Sequence, residues 1–441
     1  MKFKIRTLCA ALTFAATANT AFADDLLQIY QQALTNDPVV LQAKAQRDQT
    51  FEAIEENRAP LLPTVSGQVG YNKAWNDPGS NSRGLTGTVS LNQVVYDHAA
   101  WVGLNLAEKA ASQADTVYAA SLQNLIIRVT TAYFNVLSAK DTFEYQQAQK
   151  NAIERQLEQT KQRFAVGLTA ITDVHEAQAQ YDLATAAVIS AQNVLTNSYE
   201  ALREITGIDH TDLKVLDTQR FSATSPAPTQ TTDWQKLAED NNLAILSDRL
   251  AKDIAKETIS LQKTGHLPSL SFNASYSKGL DQQTDGVSQP DFDDSAVGLT
   301  LSIPIFEGFA VSSRVKQAKY AYIQASQALE QTHREVIRSV RSNFNDVTAS
   351  MSSIRAYEQS VISAESALKA TQAGFEVGTR TIVDVLNSTY NLYNAKRQLS
   401  DARYSYINSI LALKQAAGTL TEADVVGINN GLTTEAVTQQ P

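Results

Sequence analysis

Cysteine is nearly missing from this 441-residue chain, with Cys9 its single example. Cys9 falls in the first 23 residues, where Lys2, Lys4 and Arg6 precede an apolar run from Leu8 to Ala18 and Ala21-Phe22-Ala23 ends in small residues. That pattern predicts a secretory signal peptide over 1–23, cleaved before Asp24. Arg6-Thr7-Leu8-Cys9 comes too early and lacks the small residues of a lipidation site, so no lipid anchor is read. The exported remainder has no thiol, which excludes disulfides and thiolate metal sites. Basic charge is scarce as well. Taking three basic residues from a net charge of −9 leaves −12, which argues against nucleic acid as a partner. Long apolar runs are absent too. No stretch after residue 23 supplies the roughly 20 apolar residues of a membrane helix, and the best, Leu122 to Leu137, is broken by Arg128.

Histidine and the usual signatures of catalysis are equally thin. His98, His175, His210, His266 and His333 are scattered with no metal-ligand spacing, and His175 reads as a solvated helix residue. No phosphate-binding loop or nucleophile elbow appears, so neither an enzyme nor a cofactor is expected. Proline is missing from 99–165 and from 310–376. Each of those runs can therefore form one unbroken helix of about 100 Å at 1.5 Å per residue.

What the chain does contain, it contains twice. Phe164 to Val174 reads FAVGLTAITDV, and Phe375 to Val385 reads FEVGTRTIVDV. In both, glycine follows the last periodic residue, where only glycine enters the left-handed conformation freely. Thr172 or Asp173, and Asp384 in the echo, then lie near the start of the next helix, where negative charge suits the helix dipole. Each stretch predicts the tip of a helical hairpin. Pro63-Thr64-Val65-Ser66 returns as Pro268-Ser269-Leu270-Ser271, and Gly207 returns as Gly418. Two repeats follow, 24–207 and 233–418, each running short helix, helix, strand, strand, very long helix, tip, long helix. The long helices are expected at 99–165, 171–205, 310–376 and 382–416. Residues 208–232, with Pro226 and Pro228, read as a linker, and 419–441 as a polar, loose tail.

The strands, expected at 64–75, 85–95, 268–278 and 296–305, alternate one apolar face with one uncharged polar face. Val65, Val69, Tyr71 and Trp75 oppose Ser66, Gln68 and Asn72, and Val297, Leu299, Leu301 and Ile303 oppose Gly298, Thr300 and Ser302. A soluble sheet normally sets Lys and Glu on its wet face; these runs match transmembrane barrel strands, with Tyr96 and Phe306 as interfacial aromatics. Four strands cannot close a barrel, and an open edge is not tolerated in lipid. Copies must pool strands, eight in a dimer or twelve in a trimer, and the residues alone leave both open. The helices carry coiled-coil seams, such as Val174, Ala177, Tyr181, Ala184, Val188 and Ala191. In 99–165 the seam Leu122, Leu125, Val129, Ala132, Val136 is flanked by Ile126, Tyr133 and Leu137, a band wide enough for packing on two flanks, as in a closed ring of helices.

With both tips, the paired strands, Ser138-Ala139-Lys140-Asp141 and Tyr393-Asn394-Ala395-Lys396 in view, the chain resembles the TolC family of outer-membrane efflux proteins over its whole mature length. The resemblance implies a mixed α and β fold. Four strands per chain join a shared 12-stranded transmembrane β-barrel, and coiled-coil helices form a periplasmic α-helical barrel. It implies a homotrimer in the outer membrane of a Gram-negative bacterium, contacting lipid, a periplasmic membrane-fusion adaptor and an inner-membrane pump. Such a trimer is the passive exit duct of a tripartite efflux or type I secretion system. The competing expectation is a trimeric coiled-coil stalk or adhesin that transports nothing, which leaves the duplicated tips unexplained.

By the same resemblance, Val166, Gly167 and Leu168, with Val377, Gly378 and Thr379, meet the adaptor. Arg380 holds the tip shut against the Thr172-Asp173 stretch of a neighbouring copy, Gln162 belongs to that network, and Asp384 forms an acidic ring at the constriction. Three carboxylates facing one axis repel, so at least one pKa should rise, and the pore should favour cations. Two positions depart from the family pattern. Phe375 replaces a familiar Tyr, removing a hydroxyl bond to the Asp173 side of the latch, and Asn387 replaces a second acidic residue one turn beyond Asp384. In planar bilayers, Asn387→Asp should strengthen block by multivalent cations and Phe375→Tyr should lower resting conductance; unchanged traces count against both assignments.

Overall fold

The computed structural model describes residues 23–75 and 81–434. The expected signal peptide, except Ala23, and the end of the expected tail lie outside the described residues. Two short helices open the chain, α1 (Leu26–Asn36) and α2 (Pro38–Arg58), followed by strands β1 (Thr64–Ala74) and β2 (Ser82–Tyr96). Then come α3 (His98–Ala165) and α4 (Ile171–Thr206). After a short strand β3 (Val215–Leu216) the order recurs as α5 (Thr231–Asn241), α6 (Leu243–Lys263), β4 (Ser269–Thr284), β5 (Val287–Ser288), β6 (Phe292–Ser302), α7 (Ala310–Glu376) and α8 (Ile382–Ala416). The chain closes with α9 (Glu422–Asn429) and β7 (Leu432–Thr433).

Side-chain capping explains why the short helices break where they do. Asp37, ahead of Pro38, accepts from the Val40 amide, and Asn242 accepts from the Ala244 and Ile245 amides. The same junctions tie to the ends of the long helices. Asn36 donates to the Thr206 carbonyl at 3.0 Å, and Asn242 to the Ala416 carbonyl at 2.9 Å. Arg128 clamps buried Asp37 with two bonds, 2.5 and 3.2 Å. At Gly418, φ is +72° and an added β-carbon would lie 2.2 Å from the Asn241 carbonyl oxygen, so only glycine fits.

β1, β2, β4 and β6 form one antiparallel sheet in that order, with β5 pairing only the far end of β4. The register sorts side chains cleanly. Val65, Leu91, Ala274 and Val297 lie in one row and share a face, while Ser66, Ser90 and Ser275 align on the other. Hydroxyls bridge the polar face, Ser66 to Ser90 at 2.8 Å and Thr88 to Ser277 at 2.9 Å. The apolar face is uncovered, with Val297 74% exposed. β1 and β6 each have one edge with no partner strand among the described residues. No helix among the described residues is long and apolar enough to cross a membrane.

α3 pairs with α4, and α7 with α8, as two antiparallel hairpins; α3 also packs against α2, α6 and α8. Leu125, Val129, Tyr133, Phe134 and Leu137 of α3 are buried together with Leu202 of α4, Leu411 of α8, Leu26 of α1 and Trp234 of α5. The wide apolar band of α3 therefore finds both of its flanks inside one chain.

The tail is a correction. Leu420, Val425 and Leu432 are buried in the main core, and β7 pairs with β3, so 419–433 is docked and 208–232 is the edge it docks to. Thr421 and Asp424 cap α9 reciprocally, and Lys414 bonds Asp424. Three well-spaced apolar residues sufficed to anchor a segment whose composition is otherwise polar. Leu432→Ala should destabilise the solubilised protein by about 2–5 kcal/mol, read as a lowered Tm; a loose tail would give no change.

Candidate functional site

The two hairpin tips are built almost identically. α3 ends with Gly167 at φ +75°, its amide donating to the Phe164 carbonyl and the Leu168 amide to the Arg163 carbonyl at 2.8 Å. α7 ends with Gly378 at φ +78°, its amide donating to the Phe375 carbonyl and the Thr379 amide to the Gly374 carbonyl at 2.8 Å. Both are Schellman-type stops that only a residue free to enter the left-handed region makes without strain. Val166, Gly167 and Leu168, with Val377, Gly378 and Thr379, all stand exposed at these ends. Exposed apolar side chains clustered on a turn form a surface suited to a partner.

The entry into the following helix differs between the tips. In the first, Asp173 accepts from the Thr169 hydroxyl across its own turn, and Thr172 is exposed. In the second, Thr381 and Asp384 form a capping box. The Asp384 carboxylate accepts from the Thr381 amide and hydroxyl, both at 2.9 Å, and the Asp384 amide donates back to the hydroxyl at 3.3 Å. The Thr381 amide first, then its hydroxyl and the nearby Arg380 cation, hold the Asp384 carboxyl below the ordinary 3.8. The rise expected for three carboxylates around an axis is thus opposed inside each chain by the cap.

The structure does not gather every expected gate residue. Gln162 is exposed and bonds along its own helix to Glu158 at 3.4 Å. Arg380 is exposed, with its amide on the Gly374 carbonyl at 3.2 Å and its stem over Gly374. Asn387 is exposed one turn beyond Asp384. Among the described residues of one chain, none of Gln162, Thr172 or Asp173 hydrogen-bonds to Arg380, Asp384 or Asn387. Phe375 departs most from the expectation of a position at an open latch. It is 7% exposed, enclosed by Ile153 and Leu157 of α3, Ala177 of α4, and Ile382 and Val385 of α8. The Arg163 guanidinium lies over its ring, 4.8 Å from the centroid.

Three contributors escaped the sequence reading. Thr381 could have been found from its Thr-x-x-Asp spacing and Thr169 from its place four residues before Asp173. Arg163 carried no local signal, because its contact forms only where α3 meets α7. Nearer the middle of the helices, the Ser138-Ala139-Lys140-Asp141 stretch clamps α3 to α8. Asp141 accepts from Tyr404 at 2.7 Å and from Ser400, while Ser138 donates to Asp401 at 2.6 Å. Burial pushes the Asp141 carboxyl up.

A barrel-type sheet without closure, carried on two long hairpins with mirrored tips, defines the subunit of an outer-membrane channel. The fold matches the Campylobacter jejuni CmeC outer membrane channel with a TM-score of 0.77, covering 92% of this chain and 90% of that one at 17% identity. The outer membrane efflux protein model matches residues 29–208 and again 234–419. The chain belongs to the outer membrane efflux protein family. It is 47% identical to the outer membrane protein TolC of Vibrio cholerae, over 97% of this chain and 98% of that one. It is 30% identical to the alkaline protease secretion protein AprF of Pseudomonas aeruginosa, over 92% and 86%. The chain is an outer-membrane exit duct of the kind that serves efflux and type I secretion, and its helices extend into the periplasm.

A depressed carboxylate pKa stabilises above its unfolded value and ceases to do so as pH falls through the folded one. The Asp384 cap is therefore complete above 3.8 and is lost on acidification below that value. Thr381→Val should speed hydrogen exchange of the first-turn amides of α8 at pH 7. The gap between variant and parent should close well below pH 3.8; a pH-independent gap would contradict the cap.

Proposed function

We propose that three copies of this chain close one twelve-stranded barrel in the outer membrane and one helical cylinder beneath it, forming a passive duct gated at the tips. The observation that carries this reading is the sheet itself. Four strands that, among the described residues, have an uncovered apolar face and an unpaired edge on each side are stable in lipid only when further strands complete the wall. Three sets of four leave an aqueous bore lined by the hydroxyl face, whereas eight strands leave an interior filled by side chains. The stalk reading has no use for a hydrated inner face.

The duct is the outer component of a tripartite assembly. Val166, Gly167, Leu168, Val377, Gly378 and Thr379 meet the periplasmic adaptor, which links the duct to an inner-membrane pump. Arg380, whose side chain makes no hydrogen bond or close salt bridge among the described residues of its own chain beyond its charge acting on Asp384, reaches the Thr172-Asp173 stretch of the neighbouring copy. There it competes with Thr169 for Asp173. Gln162 supports that contact, and Asp384 and Asn387 line the constriction. Supporting the assignment is that, among the described residues of one chain, Gln162, Thr172 and Asp173 make no bond to Arg380, Asp384 or Asn387.

Native mass spectrometry of the detergent-solubilised protein should give a trimer. In planar bilayers it should conduct, with Arg380→Ser raising resting conductance several-fold. A monomer, or a non-conducting trimer, overturns the duct; an unchanged Arg380→Ser trace overturns the latch alone.

A further inference from the structure

Arg163 has no part in the gate described so far, yet its surroundings give it one. It sits in the last turn of α3. Its Nε is buried with no hydrogen-bond partner, and Arg163 makes no ion pair among the described residues. A half-buried cation whose Nε is shut away without a carboxylate gains from another source of negative potential. The face of an aromatic ring supplies one. Arg163 has that face: its guanidinium carbon lies 4.8 Å from the centroid of Phe375.

The ring belongs to the other hairpin. Phe375 lies in the last turn of α7, and the pocket that encloses it is assembled from both hairpins, with Ile153, Leu157 and Ala177 from the first and Ile382, Val385 and Leu386 from the second. Arg163 closes this pocket from the α3 side. Among the described residues, the polar residues at the two tips make no bond to one another within the chain, and the contact of Arg163 with Phe375 is a charged link between the hairpins at this level. Any motion that separates the hairpins at the tip must uncover the Phe375 ring and break its contact with the guanidinium.

We infer that Arg163 is a positioning residue of the tip, tying the first hairpin to the second through the face of Phe375 within each subunit. This rests on the gate reading proposed above and deepens it. The tie needs a ring and no hydroxyl, so a chain with Phe rather than Tyr at 375 keeps its tip together by a contact inside the subunit. It acts alongside any bond that Arg380 makes between subunits. Ring and cation are one unit, so removing either should release the tip as fully as removing both.

The test is a double-mutant cycle on the full-length protein in planar bilayers, with Arg163→Gln, Phe375→Leu, the double variant and Arg163→Lys. A desolvated cation–π contact shifts a two-state equilibrium by about five- to thirty-fold. Each single change should raise the open fraction by that order. The double variant should exceed neither, and Arg163→Lys should restore much of the closure because it keeps the cation. Effects that multiply in the double variant, or a lysine variant no better than glutamine, overturn the tie. Hydrogen exchange at 164–169 and 375–381 separates this inference from the gate reading. Arg163→Gln should speed exchange in both tips, and a change confined to the first overturns the tie whatever the conductance does. If exchange rises in both while neither this variant nor Arg380→Ser alters conductance, the tie stands as a contact and the gate reading falls, taking the gating role of Arg163 with it.

Discussion

The constraint on which the rest depends is that backbone amides and carbonyls cannot stay unpaired in hydrocarbon. Among the described residues, β1 and β6 each present such a row at the margins of a four-stranded sheet. The sheet cannot curl on itself, because four strands are too few to form a wall. Nor, among the described residues, is it covered by a helix, since α2, α3, α6 and α7 leave its apolar face open. The sequence balances this with a repeat. Each half supplies one hairpin of strands and one hairpin of helices, so whatever closes the sheet also sets long helices side by side below it.

Packing is unevenly distributed along those helices. Large side chains such as Tyr133, Phe134, Leu202 and Leu413 are concentrated where α1, α5 and the tail embrace the hairpins. Toward the tips α4 buries only Ala177, Ala184 and Ala191, and a small separate cluster around Phe375 does the rest. Sparse apolar contact lowers the cost of local opening. The tip end is thus lightly held by the core and relies on a few directed contacts: two glycine stops, one capping box and one ring under a guanidinium.

How much of this was legible depends on how local each signal is. The tip glycines, the alternating strands and the proline-free helices are written in windows of about ten residues, and the fold agrees with them. The expectation of a loose tail failed because Leu420, Val425 and Leu432 show no period, and their burial is decided by a surface built from distant helices. The wide stripe on α3 was read correctly as two-flanked, but α8 supplies the second flank from the same chain. Phe375 is the sharpest case. As a departure from a family pattern it suggested only something lost, a hydroxyl; the structure adds what its ring still does, which required knowing that Arg163 stands opposite.

The pairing of β3 with β7 has a further consequence. The bridge from Asp24 to Leu213, the Lys214 amide on the Asp24 carbonyl and the Leu216 to Leu432 register fasten the first described residues, the middle of the chain and its last described strand to one belt. Fraying begins at loose ends. Here the four-stranded sheet and the distant tips are both closed excursions from that belt, with no terminus of their own from which to unravel.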